Sequence, residues 1–185
     1  MTTSSSAIST IHEVQKILGY CFKDSSLIDA LRANGMHSYD DFRDGNRRLA
    51  LLGDKLIDGV MVDTWLDANP RLSKKQMSNK LVHFTSNNAL NLVACQSGLE
   101  QFIEWRSGQN QHGWKVPADT IEAVVAAVWQ DSGNYEEVQK VVRRLIPTEC
   151  SYCSGGLLGT CDKSTTDPVW RFFWSICEHL TSIFW

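Results

Sequence analysis

A chain of 185 residues with 43% hydrophobic content can bury one well-packed domain plus a modest extension, and is too short for two comfortable ones. Its formal net charge of -3 and isoelectric point near 5.9 exclude global electrostatic capture of a polyanion, so any nucleic-acid contact must come from local basic clusters or metal ions. No stretch reaches the roughly twenty apolar residues of a membrane span, and residues 1–10, small and polar without arginine, match neither a secretory signal nor a transit peptide.

Helical periodicity begins with Ile11, Val14, Ile17 and Leu18, whose spacing lines one face, and Gly19 is a natural stop. Asp24, Ser25 and Ser26 can cap a second helix carrying Leu27, Ile28 and Leu31. Residues 34–45, with two glycines and several polar side chains, read as a loop. From 47 to 66 the apolar positions Leu49, Leu52, Leu56, Ile57, Val60 and Trp65 continue without a proline until Pro70, which predicts a helix buried on most sides. Ser73 opens the next segment, where Leu81, Val82, Leu90, Leu92 and Val93 predict two helices or one kinked helix, interrupted at Ser86, Asn87 and Asn88 and ended by Gly98. A Gly- and Gln-rich loop follows around 108–113. The helical pattern resumes over 118–130, is closed by Gly133, and returns over 135–146 before Pro147. Almost no segment alternates as a strand would, so the body is expected to be all-α.

Asp54 and Asp58 lie in the middle of the long apolar helix. A carboxylate there must be paired, protonated or bound to metal, because an isolated buried charge is very costly. A salt bridge to a neighbouring lysine or arginine is the plain structural alternative. In the later helix Asp119 and Glu122, three residues apart, share a face, while Ile121, Val124, Val125 and Val128 occupy the rest. Complementing the helix dipole accounts for Asp119 near the N-terminus but leaves Glu122 without an explanation.

Two segments together are specific: Asn46-Arg47-Arg48-Leu49-Ala50-Leu51-Leu52-Gly53-Asp54, and Ala118-Asp119-Thr120-Ile121-Glu122-Ala123 continuing to Gly133. They resemble the signature helix and the late acidic helix of the ribonuclease III family, and Leu18 to Asp24 is similar to the family's early turn. The resemblance spans about residues 11–146, in the family's order and spacing. It implies the all-α ribonuclease III endonuclease-domain fold, a homodimer, and cleavage of double-stranded RNA to 5'-phosphate and 3'-hydroxyl ends. It also implies Mg2+, with Mn2+ as a substitute, held by carboxylates.

Asp54, Asp119 and Glu122 fall on three of the family's four main acidic positions, and so are implied as catalytic and metal-holding residues. The fourth, a glutamate four residues before Asp54, is Ala50 here, and another common glutamate of the signature is Arg47. A methyl group cannot coordinate metal, so water, substrate phosphate or another side chain must replace the lost carboxylate. The small Mini-III relatives also carry alanine there, and tend to place an acid one turn after the signature aspartate, where Asp58 stands in this chain. Ala50 therefore lowers the expectation of catalysis without removing it. The alternatives are a catalytically impaired RNA-binding or ribosome-associated scaffold, and a dimerisation module for another protein.

For RNA contact the basic candidates are Arg47, Arg48, Lys74, Lys75 and Lys80, which flank the signature and the following helix, although any single such residue is more often an ordinary solvated charge. Leu51 corresponds to the knob that many family dimers insert into the partner, with packing inside its own chain as the alternative. Six cysteines without a signal peptide are expected to be reduced thiols, although Cys150, Cys153, Cys161 and Cys177 offer a CxxC pair and two more thiols that could hold zinc. The aromatic segment over 169–185 is expected to pack back on the domain, with a protein partner or a membrane surface as the other outcomes. The domain reading is a disordered leader over 1–10, a ribonuclease III-type domain over 11–147, and a Cys/Gly-rich linker with an aromatic C-terminal helix over 148–185. An intracellular protein, cytoplasmic or nuclear with an organelle not excluded, is the expectation.

Overall fold

A computed structural model of the chain describes residues 3–24, 26–32, 45–105 and 114–147. The cysteine cluster and the aromatic tail lie outside these residues, as do most of the first expected loop and the loop at 108–113.

The described residues fold as α1 (Thr3–Leu18), α2 (Ser26–Leu31), α3 (Arg47–Ala68), α4 (Lys74–Thr85), α5 (Asn87–Ser97), α6 (Lys115–Ser132) and α7 (Tyr135–Leu145), with a 3-10 turn at Leu99–Phe102. The first helix starts at Thr3, within the stretch read as a disordered leader. Serine and threonine favour a helix start, and no glycine or proline interrupts the chain before Gly19. The one β pairing among the described residues is an isolated bridge between Arg32 and Glu104, in line with the weak strand signal.

Helix ends follow local chemistry. Ser73 caps α4 by accepting from the Gln76 backbone at 3.3 Å, while its own N–H donates to the Gln76 side chain at 2.9 Å. Ser86 ends α4 and caps α5 through the Ala89 N–H, which resolves the open choice in favour of two helices. Gly98 and Gly133 stop α5 and α6 at φ of 78° and 61°, a left-handed conformation that glycine adopts without a Cβ penalty.

At the centre stands α6. Its residues Pro117 through Val128 are all buried, because α2, α3, α5 and α7 pack around it. Each fully buried Val or Ile side chain contributes roughly 1.5–3 kcal/mol, so this helix anchors the core. The most extensive of its contacts is with α3, whose Ala50, Gly53, Ile57, Val60, Met61 and Trp65 form the buried stripe. A Cβ added at Gly53 would overlap the carbonyl group of Glu122, so the two helices touch backbone to backbone at that crossing. Asn46, only 2% exposed at the start of α3, donates its amide to Ala30 O at 3.0 Å and Thr120 Oγ1 at 3.2 Å. That amide fixes where α3 begins relative to both α2 and α6.

The far end of α6 is tied to the turn after α1. Asp131 accepts from the Tyr20 hydroxyl at 2.6 Å and from the backbone N–H groups of Lys23 at 3.0 Å and Asp24 at 3.2 Å. Burial and the neighbouring carboxylate push the Tyr20 phenol up to about 12, so it remains a donor across the physiological range.

Candidate functional site

The α3–α6 crossing determines which side chains meet. Asp54 follows Gly53 directly, and Glu122 lies opposite, on the stretch of backbone that Gly53 touches. Asp58 is one turn further along α3, and Asp119 one turn earlier on α6. The four expected acids therefore come from two helices onto one crossing.

Their electrostatics show the proximity. Burial, then the charges of Asp54 and Asp119, push the Glu122 carboxyl up to about 7 from its usual 4.5; Asp58 adds to this and Lys115 opposes it. Glu122 is 9% exposed and Asp119 6%, so both are carboxylates inside the protein rather than on a solvated face. Burial and the charge of Asp54 also raise Asp58, against a hydrogen bond from the Thr85 hydroxyl at 3.1 Å and the charge of Lys55. Such a cluster attracts cations, and its oxygen donors are the hard ligands that Mg2+ and Mn2+ take. As the side chains stand, no three acidic, histidine or cysteine residues among the described ones converge closely enough to hold an ion.

Two lysines that sequence reasoning passed over supply positive charge instead. Lys55 Nζ lies 2.6 Å from Asp54 Oδ2, and Lys115 Nζ lies 3.1 Å from Asp119 Oδ1. The second pair was legible as an i, i+4 spacing. The first was not, since adjacent residues do not face each other on a helix. No ion pair reaches Glu122 among the described residues.

Ala50, 4% exposed, is part of the buried α3 stripe and brings no donor. Arg47 and Arg48 are exposed in the first turn of α3, and Lys74 and Lys75 are exposed in the first turn of α4. Lys80 is half-buried, and its ammonium sits 5.0 Å from the centre of the Trp65 ring, a cation–π contact that engages it within the chain. Leu51 is 69% exposed, so its own core does not take it. Cys21 and Cys95 are exposed free thiols.

Comparison with known proteins sets this geometry in context. The family described as Ribonuclease-III-like matches residues 31–149. A protein named Ribonuclease 3 from Leifsonia xyli subsp. xyli is 29% identical over 129 residues, covering 67% of this chain and 54% of that protein. Another of the same name from Thermobifida fusca is 31% identical over 114 residues, covering 60% and 47% respectively. The chain thus spans about half the length of the curated relatives it matches. Among solved structures, the nuclease domain of Ribonuclease III from Campylobacter jejuni superposes with a TM-score of 0.64 at 23% identity, covering 73% of this chain and 94% of that one. Structural flexibility has been described for that nuclease domain, in a region involved in its dimer formation.

Proposed function

This chain belongs to the ribonuclease III-like family, and from that premise we propose that it is a metal-dependent endoribonuclease that cuts double-stranded RNA and works as a homodimer. The products carry 5'-phosphate and 3'-hydroxyl ends. One observation supports the reading above the others: the buried carboxylates of α6 and the half-buried Asp54 and Asp58 of α3 are gathered at a backbone-close crossing, with Glu122 pushed up to about 7. Clustering like charges inside a protein is unfavourable unless a cation uses them.

Asp54, Asp119 and Glu122 are the residues that would hold Mg2+ or Mn2+, with Asp58 beside Asp54. When bound, a divalent ion supplies the acidity that yields hydroxide at neutral pH and the charge that stabilises a departing oxygen. Glu122 can keep or release a proton near neutrality, which suits a group that must meet both a cation and a water. Asn46 and Gly53 keep the two acidic helices in register. Arg47, Arg48, Lys74 and Lys75 are the side chains we assign to phosphate contact: positive charge in the first turn of a helix opposes the dipole, at roughly 0.3–1 kcal/mol each, and phosphate would relieve that opposition. Lys80 contributes less directly, being held over Trp65.

A second reading, an RNA-binding or ribosome-associated scaffold with impaired catalysis, is favoured by Ala50, which offers no donor where the family's fourth acid stands. Cleavage of a long RNA duplex in Mg2+ or Mn2+, by the wild type and by Asp54→Asn and Glu122→Gln, separates the two. Metal-dependent cleavage that both substitutions abolish supports the enzyme. Unchanged cleavage in both sinks the proposed site, and duplex binding without cleavage in either metal favours the scaffold.

The dimer has its own test. Burying Leu51 on both sides of a two-fold interface contributes about 3 kcal/mol, or roughly a hundredfold in affinity. Leu51→Asp is therefore expected to leave the helical content intact and shift sedimentation toward monomer at micromolar protein. A variant that stays dimeric removes Leu51 from the interface, and a monomeric wild type removes the dimer.

A further inference from the structure

Both aspartates assigned to the metal already carry a cation. Lys115 reaches Asp119 from the preceding turn, an ordinary helical pair. Lys55 is different. As the immediate neighbour of Asp54 it should project away from it, yet its ammonium closes to 2.6 Å, so the two side chains bend toward one another on the helix surface. The pull has an evident origin, since Asp54, Asp58 and Glu122 all attract this ammonium. Lys55 is 70% exposed, so water is available to the same side chain whenever the pair opens.

We propose that Lys55 is a tethered counter-cation that competes with the divalent metal for Asp54, raising the metal concentration at which the site fills. The proposal rests on the metal-site reading above and deepens it. Without metal, the ammonium neutralises part of the charge gathered at the crossing. A divalent ion at Asp54 must break the ion pair and then sit near an ammonium of like sign. Exposed pairs of this kind are weak, so the competition tunes affinity rather than blocking it, by about three- to tenfold, and it fades as salt screens the charges.

The test measures binding directly. Free Mn2+ is followed by electron paramagnetic resonance as it is titrated into the whole, metal-free protein, with the metal-induced rise in Tm as a second readout. Lys55→Ala is expected to bind Mn2+ about three- to tenfold more tightly than wild type and to show a larger rise in Tm. Lys55→Arg, which keeps the charge, stays close to wild type. Lys140→Ala, which removes a lysine paired with Glu137 on α7, controls for net charge and should not tighten binding. Saturable binding by the wild type with unchanged or weaker binding in Lys55→Ala overturns the role of Lys55 and leaves the metal site standing. Equal tightening in Lys140→Ala also overturns it, by reducing the effect to net charge. No saturable binding by either the wild type or Lys55→Ala overturns the metal site and this proposal together.

Discussion

Replacing Gly53 with alanine is expected to cost the fold about 3 kcal/mol, although alanine is intrinsically the better helix former by about 1 kcal/mol. The added methyl would occupy the space of the Glu122 carbonyl, and a helix backbone has no rotamer into which it can withdraw. Relief requires α3 and α6 to separate, which opens gaps along their shared stripe from Ala50 to Trp65. For a chain of this size the loss corresponds to roughly 6–12 °C in Tm, read by circular dichroism or calorimetry. An internal control lies on the same helix: at Gly59 the nearest atom to an added Cβ is the Tyr135 hydroxyl at 3.6 Å, an ordinary contact. Gly59→Ala should therefore be neutral or stabilising by about 0.5–1 kcal/mol. Equal effects at the two positions would show that the close crossing is not what Gly53 serves.

Glu122→Gln is expected to trade activity for stability. Losing one carboxylate of the proposed metal-holding set should lower duplex cleavage on the order of a hundredfold or more. In metal-free buffer the same variant should be the more stable protein at pH 8. In the unfolded chain this carboxyl ionises near 4.5, and in the folded protein at about 7, so between those values the folded state holds a proton that the unfolded state has released. The stabilising contribution is complete below about 4.5 and is lost as pH rises through about 7. Above that the wild type carries a charge its surroundings disfavour, by about 2–3 kcal/mol, and glutamine does not. Thermal melts with chelator at pH 4.5 and pH 8 check this: the variant's advantage should appear at pH 8 and vanish at pH 4.5. Excess Mg2+ at pH 8 should restore the wild type and leave the variant nearly unmoved. A wild type as stable as the variant at pH 8 without metal would sink the account of Glu122 as a strained carboxylate.

Much of this was readable from local pattern. Ser73, Ser86, Gly98 and Gly133 punctuate the chain at the places where helices start and stop, because caps and left-handed glycines are decided by their immediate neighbours. The unbroken apolar run of α3 and the acid spacing of α6 revealed the two helices of the candidate site. What escaped were relations across the chain. Asp131 reaches the Tyr20 hydroxyl over 111 positions, and Asn46 reaches Thr120 over 74; no window of sequence contains either pair. Gly53 had a faint signal, since a glycine inside a helical pattern usually answers a packing demand. Its partner, a backbone carbonyl, leaves no trace in residue type. Lys55 was hidden for a geometric reason, because adjacent helical positions normally diverge, yet this pair closes on itself, drawn chiefly by Asp54 with smaller attractions from Asp58 and Glu122.

The contact at Gly53 also bears on how quickly the site can respond. Main chain against main chain leaves α3 and α6 no room to approach further, so recruiting an ion does not wait on helix motion. What must reorganise is confined to the torsions of the half-buried Asp54 and the buried Asp119 and Glu122 and to the swing of two exposed lysine stems, of which only the lysine motions fall in the picosecond-to-nanosecond range of exposed side chains. Their cost is entropic, about 0.5–1.5 kcal/mol for each flexible side chain immobilised. At the proposed metal site, ion exchange is set by side-chain rotamer populations, slowest at the buried Asp119 and Glu122, while the backbone contact at Gly53 holds the two helices in place.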